Sequence, residues 1–399
     1  TPPTLGVSMK RVPAPATFGL AAALLAATLA GCSSSGPGGG SSSAALPPAT
    51  GDELLSGVCP ATVSIQVDWE PEAEHGAMYH LIGPDYTVDA THKRVSGPLV
   101  VAGKDTGVKV EVRAGGAAIG FTAIPAQMYI DKSITLGTVS TDGAINSSAN
   151  QPTTAVVAPL RKSPQMLMWD PASHPDWETI ADIGASGAPV VVAKANFYSP
   201  LLVAKGLLKQ SQLDSGYTGA PARFVTAPTI AQQGFATAEP YIYQHEVKSW
   251  GKPIKYQLLA DVGYDIYPEP LAVRTGDLAA LSPCLKRLVP IVQRSQADYL
   301  ADPGPTNKLI TDAVSQYNDG WTYSEGVAGY SATTMKQLGI VANDSSGPLG
   351  GMDMARVQST IDTFAPILAG SGSAVRPGLK AADIATDQFL DPSIKLGQG

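Results

Sequence analysis

The sequence predicts an α/β protein with mostly parallel sheets, and three observations carry that expectation. Short apolar strands run directly into helix-like segments, this pairing recurs along the chain, and polar clusters gather where the strands end. In open sheets of this class, ligands bind beyond the carboxyl ends of the strands.

The elements follow in order. After Pro60, TVSIQVDW alternates Val63, Ile65, Val67 and Trp69 on one face, which reads as a strand. Pro71 suits a first helical position, and Glu72 and Glu74 fall in the first turn, where acids complement the helix dipole. Met78, Leu81 and Ile82 give that helix an apolar stripe before Gly83 stops it. GVKVEVRAGG (107–116) is a strand ending in paired glycines, and ITLGTV (134–139) is a strand running into a helix capped by Ser140, Thr141 or Asp142. PVVVAKANFYSPLLVAKGLL (189–208) is a further strand–helix pair, and 222–243 reads as strand, helix, strand. Residues 270–300 are a strand feeding a long helix in which Pro283 and Pro290 allow kinks, and helices follow around 331–338 and 353–369.

The N-terminus reads as an export address. Lys10 and Arg11 precede the apolar run 18–30, and the segment closes on Leu29-Ala30-Gly31-Cys32. A basic start, a short apolar stretch and small residues before a cut describe a secretory signal over 1–31. The ending resembles a bacterial lipobox, which makes Cys32 the lipid-bearing residue. The Ser/Gly/Pro-rich segment 32–55 then reads as a flexible tether to the outer face of the cell membrane.

Composition narrows the function classes. Residues 1–31 hold two basic and no acidic residues, so the remainder carries 25 basic against 34 acidic residues, a balance of −9. No basic run points to nucleic acid, and about 350 residues beyond the tether favour two domains. With Cys32 lipidated, Cys59 and Cys284 remain in an oxidising compartment. A disulfide between them is favoured over two buried thiols, and it would bring a late segment back to the start of the fold.

DWEPEAEHGAMYH (68–80) concentrates Asp68, Glu70, Glu72, Glu74, His75 and His80 in a chain with only 15% charged residues. Glu72 and His75 have the spacing of a di-metal helix, but no second copy exists. His245-Glu246 is followed by Ser249 where a zinc-protease helix needs histidine, and GASGA (184–188) lacks the last glycine of a nucleophile elbow. AGGAAIG is not a dinucleotide fingerprint, and no phosphate-binding loop of the Gly-x4-Gly-Lys type occurs. No metal, cofactor or catalytic residue is expected. Glu70 and Glu72 are read chiefly as decorating a helix start. Trp69 at the strand end, with His75 and Tyr79 on one helix face, could offer aromatic faces and a switchable proton to a planar ligand.

At this point the chain resembles the substrate-binding lipoproteins of ABC importers, in the nitrate/sulfonate/taurine and thiamine-pyrimidine-precursor group. The likeness rests on the lipobox and tether, VDWEPEAEHGAMY, GFATAEPYIY, YPEPLAVRTGDL and FLDPSI, in order over 60–394. The group's first strand runs into Trp-x-Pro-Asn-x-x-His-x-Gly-Leu-Tyr. Trp69, Pro71, His75 and Tyr79 match it, while Glu72, Ala77 and Met78 depart from it.

The resemblance implies a two-lobed, type II clamshell with two hinge crossings, expected near Met168–Pro171 and Gly263–Pro270. Lobe one is then 56–168 plus 267–399, and lobe two is 169–266. It further implies a monomeric receptor that hands a small solute to a membrane permease driven by a separate ATPase. Candidate ligand contacts are Trp69, His75, Tyr79, Thr141 and Asp142 from lobe one, and Asn196, Tyr198, Glu239 and Tyr241 from lobe two; for each, capping or packing is the competing role. Acids at the cleft favour a neutral or cationic, pyrimidine-like or other nitrogen-containing solute over an oxyanion such as sulfonate, taurine or nitrate. Alternatives are such an oxyanion binder, an enzyme of thiamine-pyrimidine synthesis using His75, and an adhesion module without a small ligand.

Overall fold

The computed structural model describes residues 45–344 and 347–397. The expected signal segment, Cys32 and most of the tether lie outside these residues. Residues 46–55, expected to belong to the tether, instead pack on the domain. Leu55 is fully buried, its N–H donates to Thr106 O at 2.9 Å, and Glu53 pairs with Lys104 and Arg294. An apolar side chain and two ion pairs hold this segment where Ser and Gly alone could not.

Among the described residues, twelve strands form two sheets. The first contains β1 (Thr62–Gln66), β2 (Thr87–Asp89), β3 (Arg94–Val101), β4 (Lys104–Arg113), β5 (Leu136–Thr138), β6 (Thr153–Val157) and β12 (Leu271–Arg274), in the order β2-β3-β4-β1-β5-β12-β6. The second contains β7 (Gln165–Trp169), β8 (Val190–Val191), β9 (Leu213–Asp214), β10 (Ala231–Phe235) and β11 (Lys255–Leu258), in the order β11-β7-β10-β8-β9. Between the strands of the described residues, parallel pairing is found in β4-β1-β5 and β10-β8-β9 and the other pairs are antiparallel, so both sheets are mixed where mostly parallel ones were expected. One source of antiparallel pairing is a hairpin between β3 and β4. Its two-residue turn, Ala102-Gly103, has φ of 47° and 72°, the left-handed pair that matches strand twist.

The helices are α1 (Gly76–Tyr79), α2 (Ile124–Ile130), α3 (Thr141–Ser147), α4 (Ile180–Ser186), α5 (Tyr198–Ala204), α6 (Ala222–Thr226), α7 (Glu239–Tyr241), α8 (Leu278–Ala301), α9 (Gly304–Tyr317), α10 (Glu325–Gln337), α11 (Met354–Gly370) and α12 (Ala381–Ile384). Residues 222–243 reverse the expected order, giving helix, strand, helix. Ala231–Phe235 pairs on both sides, so Gln232 and Gln233 are buried in a central strand that periodicity alone does not mark. β1 is likewise buried on both faces. The Gln66 amide is satisfied there by Val67 O, Arg113 O and Ala114 O at 3.0, 3.2 and 2.9 Å. Among the described residues no helix is long and apolar enough to cross a membrane.

The chain leaves the first sheet after β6 and enters the second at β7. The first crossing is therefore 158–164, earlier than Met168–Pro171, because Met166 to Trp169 are fully buried strand residues of the second sheet. The second crossing lies within 259–270 and is held firmly. Thr141 exchanges hydrogen bonds with the backbone of Tyr267, and the Tyr264 hydroxyl donates to Asp142 at 2.5 Å. Arg356 of α11 donates to Ile266 O at 2.8 Å while its guanidinium lies 3.9 Å from the Tyr267 ring centre. One apolar cluster containing Val139, Trp169, Tyr198, Tyr264 and Phe364 joins both sheets at these crossings. Cys59 and Cys284 form a disulfide with Cα atoms 4.7 Å apart, tying the segment before β1 to α8.

Candidate functional site

Two close backbone approaches build the first wall. The Gly115 and Gly116 N–H groups donate to Trp69 O and Asp68 O at 2.8 and 2.9 Å, pinning the end of β4 against the loop after β1. A Cβ on Gly115 would fall 2.3 Å from Val67 O, so the paired glycines are a packing requirement. The Trp69 indole then lies over Gly116, with Phe121 6.1 Å and Trp321 6.0 Å away between ring centres.

A cavity of about 560 Å³ opens beside this wall, between the ends of β1 and β5 on one side and the segment after β8 on the other. That volume suits a small organic molecule. Trp69, Phe121 and Phe197 contribute aromatic surface; Thr138, Ser140, Asn146 and Ser147 contribute neutral polar groups. Among the described residues that line the cavity, Asp68 is the one charged residue, and none is lysine or arginine.

Behind Asp68 lies a buried group of titratable side chains. The fully buried His75 ring donates from Nε2 to Asp68 Oδ1 at 3.0 Å and stands 3.7 Å from Glu269 Oε2. Thr138 Oγ1 donates to the same Asp68 oxygen at 2.9 Å. Burial alone would lower the affinity of His75 for a proton, but the carboxylates of Glu269 and Asp68 outweigh it and raise its pKa to about 9. Burial pushes Glu269 up to about 8, with His75 opposing and Asp68 and Glu74 adding to the rise. Burial likewise lifts Glu72 well above the ordinary carboxylate range, reinforced by Glu74, Glu269, Asp68 and Glu239. From the start of α7, Glu239 accepts the Phe235 N–H at 2.7 Å, and burial raises it to about 7.

Of the nine residues proposed from sequence, Trp69 lines the cavity. Tyr79 is fully buried in the first core, and His75 sits behind Asp68. Thr141 and Asp142 face the second crossing, as described above. Asn196 accepts from Ser199 N at 2.8 Å near the start of α5, and the buried Tyr198 donates to Gln233 at 2.5 Å. Glu239 belongs to the acidic group, and half-buried Tyr241 packs its ring 5.6 Å from Tyr330. The cavity is lined by neighbours of the proposed residues: Phe197 beside Tyr198, and Ser140 and Ser147 around Thr141 and Asp142. Ser140, Gly143 and Ser147 recur at helical spacing, a polar stripe that could have identified that face. Asp68 stood within the acidic stretch; Phe121, whose φ is 57°, carried no sequence signal.

The remaining acids of that stretch divide. Glu70 is buried away from the cavity; burial raises it to about 7, Asp319 adding to the rise and Lys93 opposing it. Glu74 is buried and lies in the acidic group.

No protein-family model and no curated protein matches the sequence. Among solved structures, the chain is similar to the periplasmic aliphatic sulphonate binding protein SsuA from Escherichia coli, with a TM-score of 0.54 and 13% identity over 86% of this chain and 96% of that one. It is also similar to the alkanesulfonate-binding protein SsuA from Xanthomonas axonopodis pv. citri bound to MOPS, with a TM-score of 0.51 and 13% identity over 82% and 99%. A Bordetella bronchiseptica RB50 protein gives 0.50 and 16% over 83% and 96%. The shared feature is the fold: the two-lobed α/β architecture of periplasmic binding proteins.

Proposed function

We propose that this protein is an extracytoplasmic solute receptor of an ABC importer, and that its solute is a neutral or cationic, nitrogen-containing organic molecule of pyrimidine-like size. The observation that carries the reading is the cavity between the two sheets, with aromatic rings, neutral polar groups and a single carboxylate. A flat heterocycle would lie against Trp69, Phe121 and Phe197. Asp68 Oδ1 is already engaged by His75 and Thr138, so Oδ2 is the oxygen available to accept a solute N–H.

An oxyanion is disfavoured because the described residues that line the cavity offer it no lysine or arginine partner. Catalysis by His75 is disfavoured because its ring is buried behind Asp68. Lobe one would comprise 46–157 and 271–397, and lobe two 165–258, with solute binding biasing closure about the two crossings. The closed form would dock on a permease driven by a separate ATPase. Acylated Cys32, following removal of 1–31, would hold the receptor at the outer face of the membrane.

Native mass spectrometry of protein purified without refolding tests this reading by catching a co-purified solute. Protein carrying a nitrogenous molecule that is lost on Trp69→Ala substitution supports it. A bound sulfonate or nitrate, or chemical turnover of the bound molecule, contradicts it.

A further inference from the structure

Three side chains behind the cavity wall have a geometry that solute contact does not explain. His75 Nε2, a carboxylate oxygen of Asp68 and one of Glu269 all lie within 4.8 Å of one another. Asp68 comes from the loop after β1, His75 from the turn entering α1, and Glu269 from the second crossing, so three separated segments converge. We propose that Asp68, His75 and Glu269 form a binding site for a zinc-class divalent cation.

Several observations support a ligand here beyond the presence of acids. Glu269 is 8% exposed, and its Oε2 has no hydrogen-bond partner although it faces His75 across 3.7 Å. Glu74 is 4% exposed and also holds an unpartnered oxygen, Oε2. Leaving buried carboxylate oxygens without a hydrogen bond costs free energy, and the 3.7 Å approach of His75 to Glu269 is too long to supply one, whereas a coordinated cation would engage the oxygen directly. An imidazole nitrogen with two carboxylate oxygens is the donor set of zinc and its transition-metal neighbours; calcium and magnesium select oxygen alone. Of these three, only Asp68 lines the cavity, so a solute there does not reach the Glu269 carboxylate, whereas a bare ion held by the triad does.

The ion would take the Nε2 lone pair of His75, releasing to solvent the proton that otherwise bonds Asp68, and would join the second crossing to the loop after β1 through Glu269 and Asp68, restraining lobe opening. It would offset the carboxylates of Asp68 and Glu269 without involving the aromatic side chains that line the cavity. The site therefore stands whichever solute fills the cavity.

The test is metal titration of chelator-treated, folded protein without solute. Zinc is followed by calorimetry and by elemental analysis after gel filtration, and cobalt by its visible absorption. One zinc per chain is expected, with binding weakened at least about 100-fold by Glu269→Gln, an exchange of nearly equal volume. Trp69→Ala, which impairs only the solute cavity, should leave zinc affinity within about twofold, so failure of the metal site and failure of the solute reading are distinguishable. A cobalt spectrum of tetrahedral or five-coordinate type in the unsubstituted protein supports the site without any variant. Substoichiometric zinc, calcium binding in preference to zinc, or unchanged affinity in folded Glu269→Gln overturns it.

Discussion

Replacing Cys59 and Cys284 by alanine removes a cross-link between residues 225 apart in sequence. In the chain-entropy description, closing a loop of that length withdraws about 5 kcal/mol of conformational freedom from the unfolded chain at room temperature. For about 350 ordered residues the unfolding entropy near 60 °C is roughly 0.7 kcal/mol per kelvin, so the melting temperature should fall by about 7 °C. Cys284 is 2% exposed, so its truncation adds a small cavity cost to the loop effect. Wild-type protein reduced with a thiol keeps the side-chain volume and separates the two contributions. The assay is thermal and urea unfolding of oxidised, reduced and double-alanine protein, with free thiols counted by mass spectrometry. Reduced protein that melts within 1–2 °C of the oxidised form would refute the reasoning, because the loop constraint would then contribute almost nothing.

Other consequences concern single side chains. Glu70 has a folded pKa of about 7, above its ordinary 4.5, so the fold favours its protonated form. The stabilisation is complete below about pH 4.5 and lost as pH rises through about 7. Glu70→Gln should remove that pH dependence, at most about 3 kcal/mol, read from urea midpoints between pH 4 and 8. Tyr264→Phe deprives buried Asp142 of its hydroxyl partner at the second crossing, and denaturant unfolding should show a loss of about 1–3 kcal/mol. Trp69→Ala removes the indole that lines the cavity beside Phe121, and calorimetry with the identified solute should show affinity about thirtyfold weaker, near 2 kcal/mol, with the folded spectrum retained.

Much of the architecture was legible because local patterns agreed with it. The strand at 62–66, the Ser140-capped helix, the strand–helix pair at 190–204 and the strand feeding α8 all carry apolar periodicity beside turn or cap residues. The β2–β3 pair was not, and AQQGF conceals a central strand behind two buried glutamines. Of the nine proposed contacts only Trp69 lines the candidate cavity, while chain neighbours of Tyr198, Thr141 and Asp142 do. Sequence marks where a helix begins, but long-range packing decides which face meets the cavity. Tyr198 therefore points at Gln233 while its neighbour Phe197 lines the space. The acids behaved similarly: Asp68 reaches the cavity, Glu72 and Glu74 lie in the buried group, and Glu70 faces Lys93 and Asp319.

The charge of the solute is the central claim, and a thermal-shift series on wild-type and Asp68→Asn protein tests it most directly. Pyrimidines, protonated amines, sulfonates and nitrate are compared at matched ionic strength. A solute at about 100 times its dissociation constant adds roughly 2.7 kcal/mol, or about 4 °C for a chain of this size. The predicted result is a shift of that order from a neutral or cationic nitrogen compound, diminished in Asp68→Asn. Shifts from sulfonate or nitrate alone, or a wild-type response that Asp68→Asn leaves unchanged, would contradict it.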